Sequence, residues 1–381
     1  MEKEPNNFRR PQSGNIATQP SGTAKAPHSG AGQSQGPTQV RRGKTPKKKG
    51  NVIVPDFRAV VLIAVLIAVV QRLTEKDDTD VMSLFETTPE EYDTSALAAL
   101  NAGGSDGLIP YPAFTDDTLS LDIQSEYGIL IDLRSNTVIA GKNSTEKMYP
   151  ASMTKVLTLI VAYENADDLD DTFTFDFNIV NDAYVAGASV AGFTTGETVT
   201  IRDLLYGCIL PSGADATSAL AQYISGSEEA FAVLMNKKAK EIGMKDSHFV
   251  TASGLHDDEH YSTCRDMALA LQYAIATPEL REILGTYKYT TTSTPEHPGG
   301  IELTSTMYSK MSGDEADGVY IQGGKTGYTP EAHNCLASFA AVCEEEYADD
   351  FDPQFILVTG GGIGEYAAIQ DAISAYGKYI K

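Results

Sequence analysis

Strand-like runs stand at the two ends of the C-terminal body of this chain, with helical patterns filling the space between them. Tyr127-Gly128-Ile129-Leu130-Ile131-Asp132 and Thr137-Val138-Ile139-Ala140 flank Ser135-Asn136, the turn chemistry of a hairpin. Far downstream, Val319 to Gly324, Cys335 to Val342 and Phe355 to Thr359 read as further strands. Strands so far apart in sequence bury their edges only by joining one sheet. The chain must therefore return on itself, and the expected class is α+β, an antiparallel sheet flanked by helices.

The helices between are marked by their ends. Thr200 with Asp203 three residues on forms a capping box with Asp in place of Glu. That helix ends at Leu210-Pro211-Ser212-Gly213, and the next runs from Asp215 to about Ile224. Glu228 to Ile242 is closed by Gly243, and Thr263 to Ala276 and Glu365 to Tyr379 follow. Thr172 to Phe177 alternates as a short strand, and Ala186 to Gly192 reads as a flexible stretch at the border of a cleft.

The N-terminal part is different. Residues 1–50 carry ten Lys/Arg and two Asp/Glu, or +8, in a Pro-, Gly- and Ser-rich arm that lacks the apolar residues to fold. The remaining residues carry 19 basic and 50 acidic side chains, or −31. A body this acidic argues against nucleic acid as a partner. Ala59 to Val70 is unbroken Ala, Val, Leu and Ile. Extended from Phe57 to Leu73 it reaches 17 residues, the lower limit of a bilayer span. Arg58 and Arg72 can snorkel to its two interfaces. No small-x-small cleavage site follows, which favours an uncleaved signal anchor (57–73) over a cleaved signal peptide. The basic arm then stays cytoplasmic, and the body lies outside the cell membrane. Residues 74–120, acidic and broken by Gly and Pro, read as a tether to a domain spanning 121–381. Cys208, Cys264, Cys335 and Cys343 are far apart; an exported body permits disulfides among them in three pairings, while Cys208 and Cys335, in apolar runs, read as buried thiols. No zinc or haem spacing is visible, so neither a metal nor another cofactor is expected.

Tyr149-Pro150-Ala151-Ser152-Met153-Thr154-Lys155 enters the apolar run Val156 to Ala162. Pro150 precedes the helical pattern, where a missing N–H costs little. Ser152 and Lys155, at i and i+3, share a helix face. A serine hydroxyl becomes a nucleophile when a base removes its proton. Lysine is such a base only when neutral, and burial or a second cation favours that form.

Two further motifs follow in order, Ser212-Gly213-Ala214 and Lys325-Thr326-Gly327. With their flanks, Leu210-Pro211-Ser212-Gly213-Ala214-Asp215 and Gly324-Lys325-Thr326-Gly327-Tyr328-Thr329, they are specific. So are Gly196-Glu197, Ala252-Ser253-Gly254-Leu255 and His260-Tyr261-Ser262-Thr263. Over roughly residues 123–381 the chain resembles the serine D-alanyl-D-alanine carboxypeptidases, the low-molecular-mass penicillin-binding proteins. The resemblance implies a β-lactamase/transpeptidase-like fold with a helical subdomain. It implies Ser152 as nucleophile, Lys155 as its base and Ser212 as proton relay. It implies Lys325 and Thr326 as hosts of the substrate carboxylate, with Gly327 beside them. The N–H groups of Ser152 and Tyr328 would form the oxyanion hole. The implied partners are a peptidoglycan stem peptide and, as inhibitors, β-lactams. Two positions depart from the family pattern: Ala214 replaces the usual Asn, and His333 stands where Gly is common. A β-lactamase would need a deacylating Glu in a Glu-Pro-Glu-Leu-Asn loop, and the nearest string is Thr277-Pro278-Glu279-Leu280-Arg281. A non-catalytic wall-binding protein is the other reading, supported by Ala214.

Overall fold

The computed structural model describes residues 109–311, 316, 318–342 and 352–380. The arm, the apolar segment 57–73 and the tether up to residue 108 lie outside the described residues. Among the described residues no helix is long and apolar enough to cross a membrane.

The first elements are β1 (Leu119–Ser120), β2 (Tyr127–Asp132), β3 (Thr137–Lys142) and, after a 3-10 turn over Ala151–Thr154, α1 (Lys155–Asn165). Next come β4 (Thr172–Thr174), α2 (Phe177–Val185), β5 (Thr198–Thr200), α3 (Ile201–Ile209), α4 (Ala214–Ser225) and α5 (Glu228–Ile242). The middle of the chain adds α6 (Cys264–Ala276), α7 (Pro278–Gly285), β6 (Lys288–Thr290), β7 (Glu302–Thr304) and α8 (Thr306–Lys310). The chain closes with β8 (Val319–Thr329), β9 (His333–Val342), β10 (Phe355–Gly362) and α9 (Ala367–Tyr379).

Six strands form one sheet in the order β1-β3-β2-β10-β9-β8. The N-terminal hairpin pairs with the C-terminal strands through β2 and β10, as the sequence pattern required. Every pairing is antiparallel except the short β1–β3 contact. Successive side chains on a strand face opposite ways. Ile129, Ile131, Ala337, Phe339, Ile356 and Val358 enter one core with α1 and α6. Leu130, Leu336, Ala340 and Leu357 enter a second core with Ala368, Ile369, Ala372, Ala375 and Tyr376 of α9. Both faces are covered, which is why these strands read as nearly continuous apolar runs. Helix α1 is buried from Lys155 to Ala162 with no exposed stripe, as suits a helix enclosed on all sides. The Ser152–Lys155 stretch therefore rests on a fully buried helix N-terminus.

Several expectations change. The packed body begins before residue 121: Ile109 is buried, and the Tyr111 hydroxyl donates to Asp266 Oδ1 at 2.6 Å. The strand read over Thr172 to Phe177 stops at Thr174, because Asp176 caps α2 by accepting from the Ile179 amide at 3.0 Å. The stretch read as flexible, Ala186 to Gly192, is pinned at its end. Asp215 Oδ1 accepts from the Ala191 amide at 2.8 Å and Oδ2 from the Gly192 amide at 3.0 Å. Three of the four cysteines, Cys208, Cys264 and Cys335, are free and buried, and Cys343 lies outside the described residues.

One buried histidine ties α1 to the loop before α6. His260 Nδ1 accepts from the amides of Val250 and Thr251 at 3.2 and 3.4 Å. Nε2 therefore carries the hydrogen and donates to Thr154 Oγ1 at 2.7 Å. Protonating Nδ1 would aim a hydrogen at two N–H donors. Burial pushes His260 down to about 4, below the ordinary imidazole range. A lowered folded-state value means that the unfolded chain binds the proton first. The contribution is intact above about pH 6.5 and is lost as pH falls towards 4, by about 3 kcal/mol in all. Melting temperature should fall across that window, and His260→Gln should melt lower at neutral pH but with a flatter acid slope. Parallel slopes would show that other groups govern acid unfolding.

Candidate active site

Ser152 lies in the 3-10 turn that feeds α1, and Lys155 is the first residue of that helix. The expected meeting occurs: Lys155 Nζ is 3.0 Å from Ser152 Oγ. The same amine donates to the Ser253 carbonyl at 2.6 Å. One turn along the same face, Thr158 Oγ1 donates to the Ala252 carbonyl at 2.6 Å. The run Ala252-Ser253-Gly254 is thus a pair of carbonyls laid along α1. Its close approach depends on Gly254, which has φ +76°, and a Cβ there would sit 2.0 Å from the Ala151 carbonyl oxygen. Any side chain at 254 would lift the carbonyls off the helix.

Lys155 is 2% exposed, and burial lowers its amine to about 8. The neighbouring Cys208, Asp215 and Glu228 oppose that fall. Lys325 is equally buried and is pushed well below the ordinary lysine range, by burial first and by Lys155 second. Two amines sharing one dry pocket favour a neutral form between them. The Cys208 thiol feels both lysines, yet burial raises it to about 12, so it remains a neutral thiol.

Strand β8 forms the opposite wall. A Cβ on Gly327 would lie 3.0 Å from the Pro150 carbonyl and 3.1 Å from the Ser152 amide nitrogen, so β8 crosses almost in contact with the Ser152 turn. Lys325 Nζ donates to the Thr326 carbonyl at 2.7 Å, and the Thr326 and Thr306 hydroxyls meet at 2.6 Å. Tyr328 is 60% exposed at the mouth.

Ser212 sits in the α3–α4 link with φ +65°, and Ala151 beside Ser152 has φ +47°. Neither residue type favours the left-handed region, a strain of the kind that gathers at functional sites. The link is held by its backbone: the Gly213 amide donates to Gly207 at 2.9 Å and the Ala214 amide to Ser189 at 2.7 Å. Asp215 accepts from the Ala191, Gly192 and Ala216 amides and so ties the link to the stretch before α3.

Sequence reasoning missed Thr306, which joins two motifs. Its amide donates to Leu210 beside Ser212 at 2.9 Å, and its hydroxyl meets Thr326. The only signal was Ser305, the cap that accepts from the Tyr308 amide. A five-residue helix carries too little periodicity to be seen.

The model of peptidase S11, D-alanyl-D-alanine carboxypeptidase, matches residues 114–346. The chain belongs to this family. It is 33% identical over 223 residues to the D-alanyl-D-alanine carboxypeptidase DacF of Bacillus subtilis (strain 168), covering 58% of this chain and 56% of that protein. It is 32% identical over 253 residues to the D-alanyl-D-alanine carboxypeptidase of Streptomyces sp. (strain K15), covering 64% of this chain and 84% of that protein. The match to DacC of Escherichia coli (strain K12) spans 37% of that relative, so the chain covers about half or less of the DacF and DacC lengths. The crystal structure of the Streptomyces K15 DD-transpeptidase superposes with a TM-score of 0.59 at 27% identity, over 68% of this chain and 98% of that one. The D-alanyl-D-alanine carboxypeptidase of Mycobacterium tuberculosis H37Rv gives 0.55 at 26% identity, over 71% and 91%.

A base that titrates near 8 sets a pH profile. The rate at which an acyl donor modifies Ser152 should rise about tenfold per pH unit below 8 and level above it, as Lys155 loses its proton. A profile that is flat from about pH 6 to 9 would remove Lys155 from the role of base.

Proposed function

We propose that this protein is a penicillin-sensitive serine D-Ala-D-Ala carboxypeptidase that removes the terminal D-alanine from peptidoglycan stem peptides. The observation that carries it is the 3.0 Å contact between Ser152 Oγ and the buried Lys155 amine. Neutral Lys155 takes the Ser152 proton as Oγ bonds to the carbonyl carbon of the penultimate D-alanine. The oxyanion is met by the N–H groups of Ser152 and Tyr328, a kind of donor worth about 2.7–4 kcal/mol each. Lys155 hands that proton back through Ser212, which relays it to the leaving amine as the C–N bond breaks, and D-alanine departs. Thr326 and Lys325 hold its carboxylate, with Gly327 leaving room for the substrate over the turn. Water then attacks the ester on Ser152, with the once more neutral Lys155 taking its proton and returning it to Ser152 Oγ as the ester bond breaks, and the shortened peptide is released. Penicillins enter by the same first step and stay as the acyl-enzyme.

The protein is, on the same proposal, anchored by residues 57–73 as a single-pass membrane protein, with the arm in the cytoplasm and the catalytic domain outside. The full chain should sediment with membranes and take up a labelled penicillin there. Ser152→Ala should sediment equally and take up no label. Undiminished labelling of that variant would place the nucleophile elsewhere, and a soluble, labelled full chain would sink the anchor.

Ala214 sets how fast the enzyme runs. An Asn there would add contacts to the substrate amide and to Lys155, each worth about 0.5–1.5 kcal/mol. Ala214→Asn should therefore raise kcat/KM on a D-alanyl-D-alanine peptide by about fivefold or more. A fall would mean that Ser189 to Gly192, packed on this residue by the Ala214–Ser189 hydrogen bond, leaves no space for an amide.

A further inference from the structure

The hairpin of β6 and β7 leads straight into Thr306, and it is held from outside itself. Its strands have three residues each, too short a pair to stand alone in water. Two buried carboxylates hold it instead, Asp203 in α3 and Glu197 just before β5. Asp203 Oδ1 accepts from the Tyr289 hydroxyl at 2.9 Å and from the Thr292 amide at 3.1 Å. Glu197 Oε1 accepts from the Thr294 hydroxyl at 2.7 Å and from His297 Nδ1 at 2.8 Å. Tyr289 also stacks flat on Tyr206 of α3, with ring centroids 3.8 Å apart. At the base of the hairpin the Ser305 amide donates to the Tyr287 carbonyl at 2.8 Å, and Thr306 follows.

Glu197 joins this hairpin to the wall that carries Ser212. It is 1% exposed. Burial alone would raise its carboxyl, but the hydrogen bonds from His297, Thr294 and Thr194 outweigh that and hold the group below its ordinary value. An ionised carboxylate only accepts, so His297 carries a hydrogen on Nδ1. The clasp closes on itself. The His297 amide donates to Thr294 Oγ1 at 3.0 Å, and the Thr294 amide donates to the His297 carbonyl at 3.1 Å. The other oxygen of Glu197, Oε2, accepts from the Thr194 amide at 2.9 Å. Thr194 follows closely on Ala191 and Gly192, the two amides that Asp215 holds. One route from Glu197 thus runs through Thr194 to Asp215. The other runs through the hairpin to Thr306, whose amide is on Leu210 and whose hydroxyl is on Thr326. Both routes end beside Ser212.

We infer that Glu197, Thr294 and His297 are positioning residues for Ser212, setting its distance from β8 and so its ability to deliver a proton to the leaving amine. The inference rests on the carboxypeptidase reading, with Ser212 as relay, and deepens it. The three residues act through Thr306 and Asp215 rather than by contact with the substrate.

The test uses two substrates that share one acyl part and a free carboxylate. One is a peptide ending in D-alanyl-D-alanine, and the other is its thioester with thioglycolate in place of the last D-alanine. An amine leaves with a proton, whereas a thiolate leaves without one. His297→Ala and Thr294→Val should lower kcat/KM on the peptide by about tenfold and leave the thioester within about twofold of wild type. Ser212→Ala should show the same selectivity to a larger degree. His297→Asn, which keeps an N–H near the place of Nδ1, should recover most of the peptide rate. If His297→Ala and Thr294→Val slow both substrates alike, as a merely weakened fold would, or slow neither, the inference is overturned, while a selective Ser212→Ala leaves the carboxypeptidase reading standing. A His297→Asn variant as slow as His297→Ala overturns it too. If Ser212→Ala slows both substrates alike, or wild type cleaves neither, the reading itself fails and takes this inference with it.

Discussion

The site depends on one buried amine. An ammonium removed from water costs several kcal/mol unless it is well paired, and Lys155 escapes much of that cost by surrendering its proton easily. Two oxygens meet its Nζ, from Ser253 and Ser152. In the charged form both contacts are donations from nitrogen. In the neutral form one N–H still holds the Ser253 carbonyl, and the lone pair is free to accept from the serine hydroxyl. The Ser253 carbonyl thus orients the amine in either state. Burial makes the neutral state reachable, and the fixed carbonyl makes it useful.

Everything around that amine is built to keep atoms close. Gly254 lets one backbone ride against the Ser152 turn, and Gly327 lets another cross it on the opposite side. Ala151 and Ser212 hold left-handed conformations that neither side chain favours. Such strain persists only where the surroundings over-determine it. Here α1 is enclosed on all sides and the sheet is covered on both faces, so the turn has little freedom to relax. Packing far from this turn is what keeps Ser152 beside Lys155.

How far the sequence could be read follows from the reach of each signal. Local signals came through. The capping box of Thr200 and Asp203 is formed in both directions, and Gly243 ends α5 at φ +94°. The hairpin turns at Asn136 with φ +51°. The sheet pairing of β2 with β10 was legible because unpaired strands at both ends leave few other solutions. The arrangement of Ser152 and Lys155 was legible because three residues on a helix fix a distance. What escaped was set by partners far away in sequence. Nothing near Ala191 announces that Asp215 pins it, and nothing near Thr306 announces Thr326 and Leu210. His260 was visible as part of a motif, but its orientation is dictated by amides of Val250 and Thr251 and by a hydroxyl more than a hundred residues away. The helix α2 was missed because Phe177 is exposed, so its apolar side chain mimicked the next step of a strand.

The second motif shows how a site can lose a side chain and keep its shape. The wall that carries Ser212 is positioned by main-chain groups: Gly213 on Gly207, Ala214 on Ser189, and Thr306 on Leu210. Asp215 adds a carboxylate that gathers three amides from two segments, and buried charge-assisted contacts of that kind are among the stronger ones a protein makes. None of these contacts uses the side chain at 214. With an alanine there, the serine two residues earlier stays where the backbone puts it. Position is carried by main-chain atoms of this turn, so the side chain at 214 can change while Ser212 keeps its place.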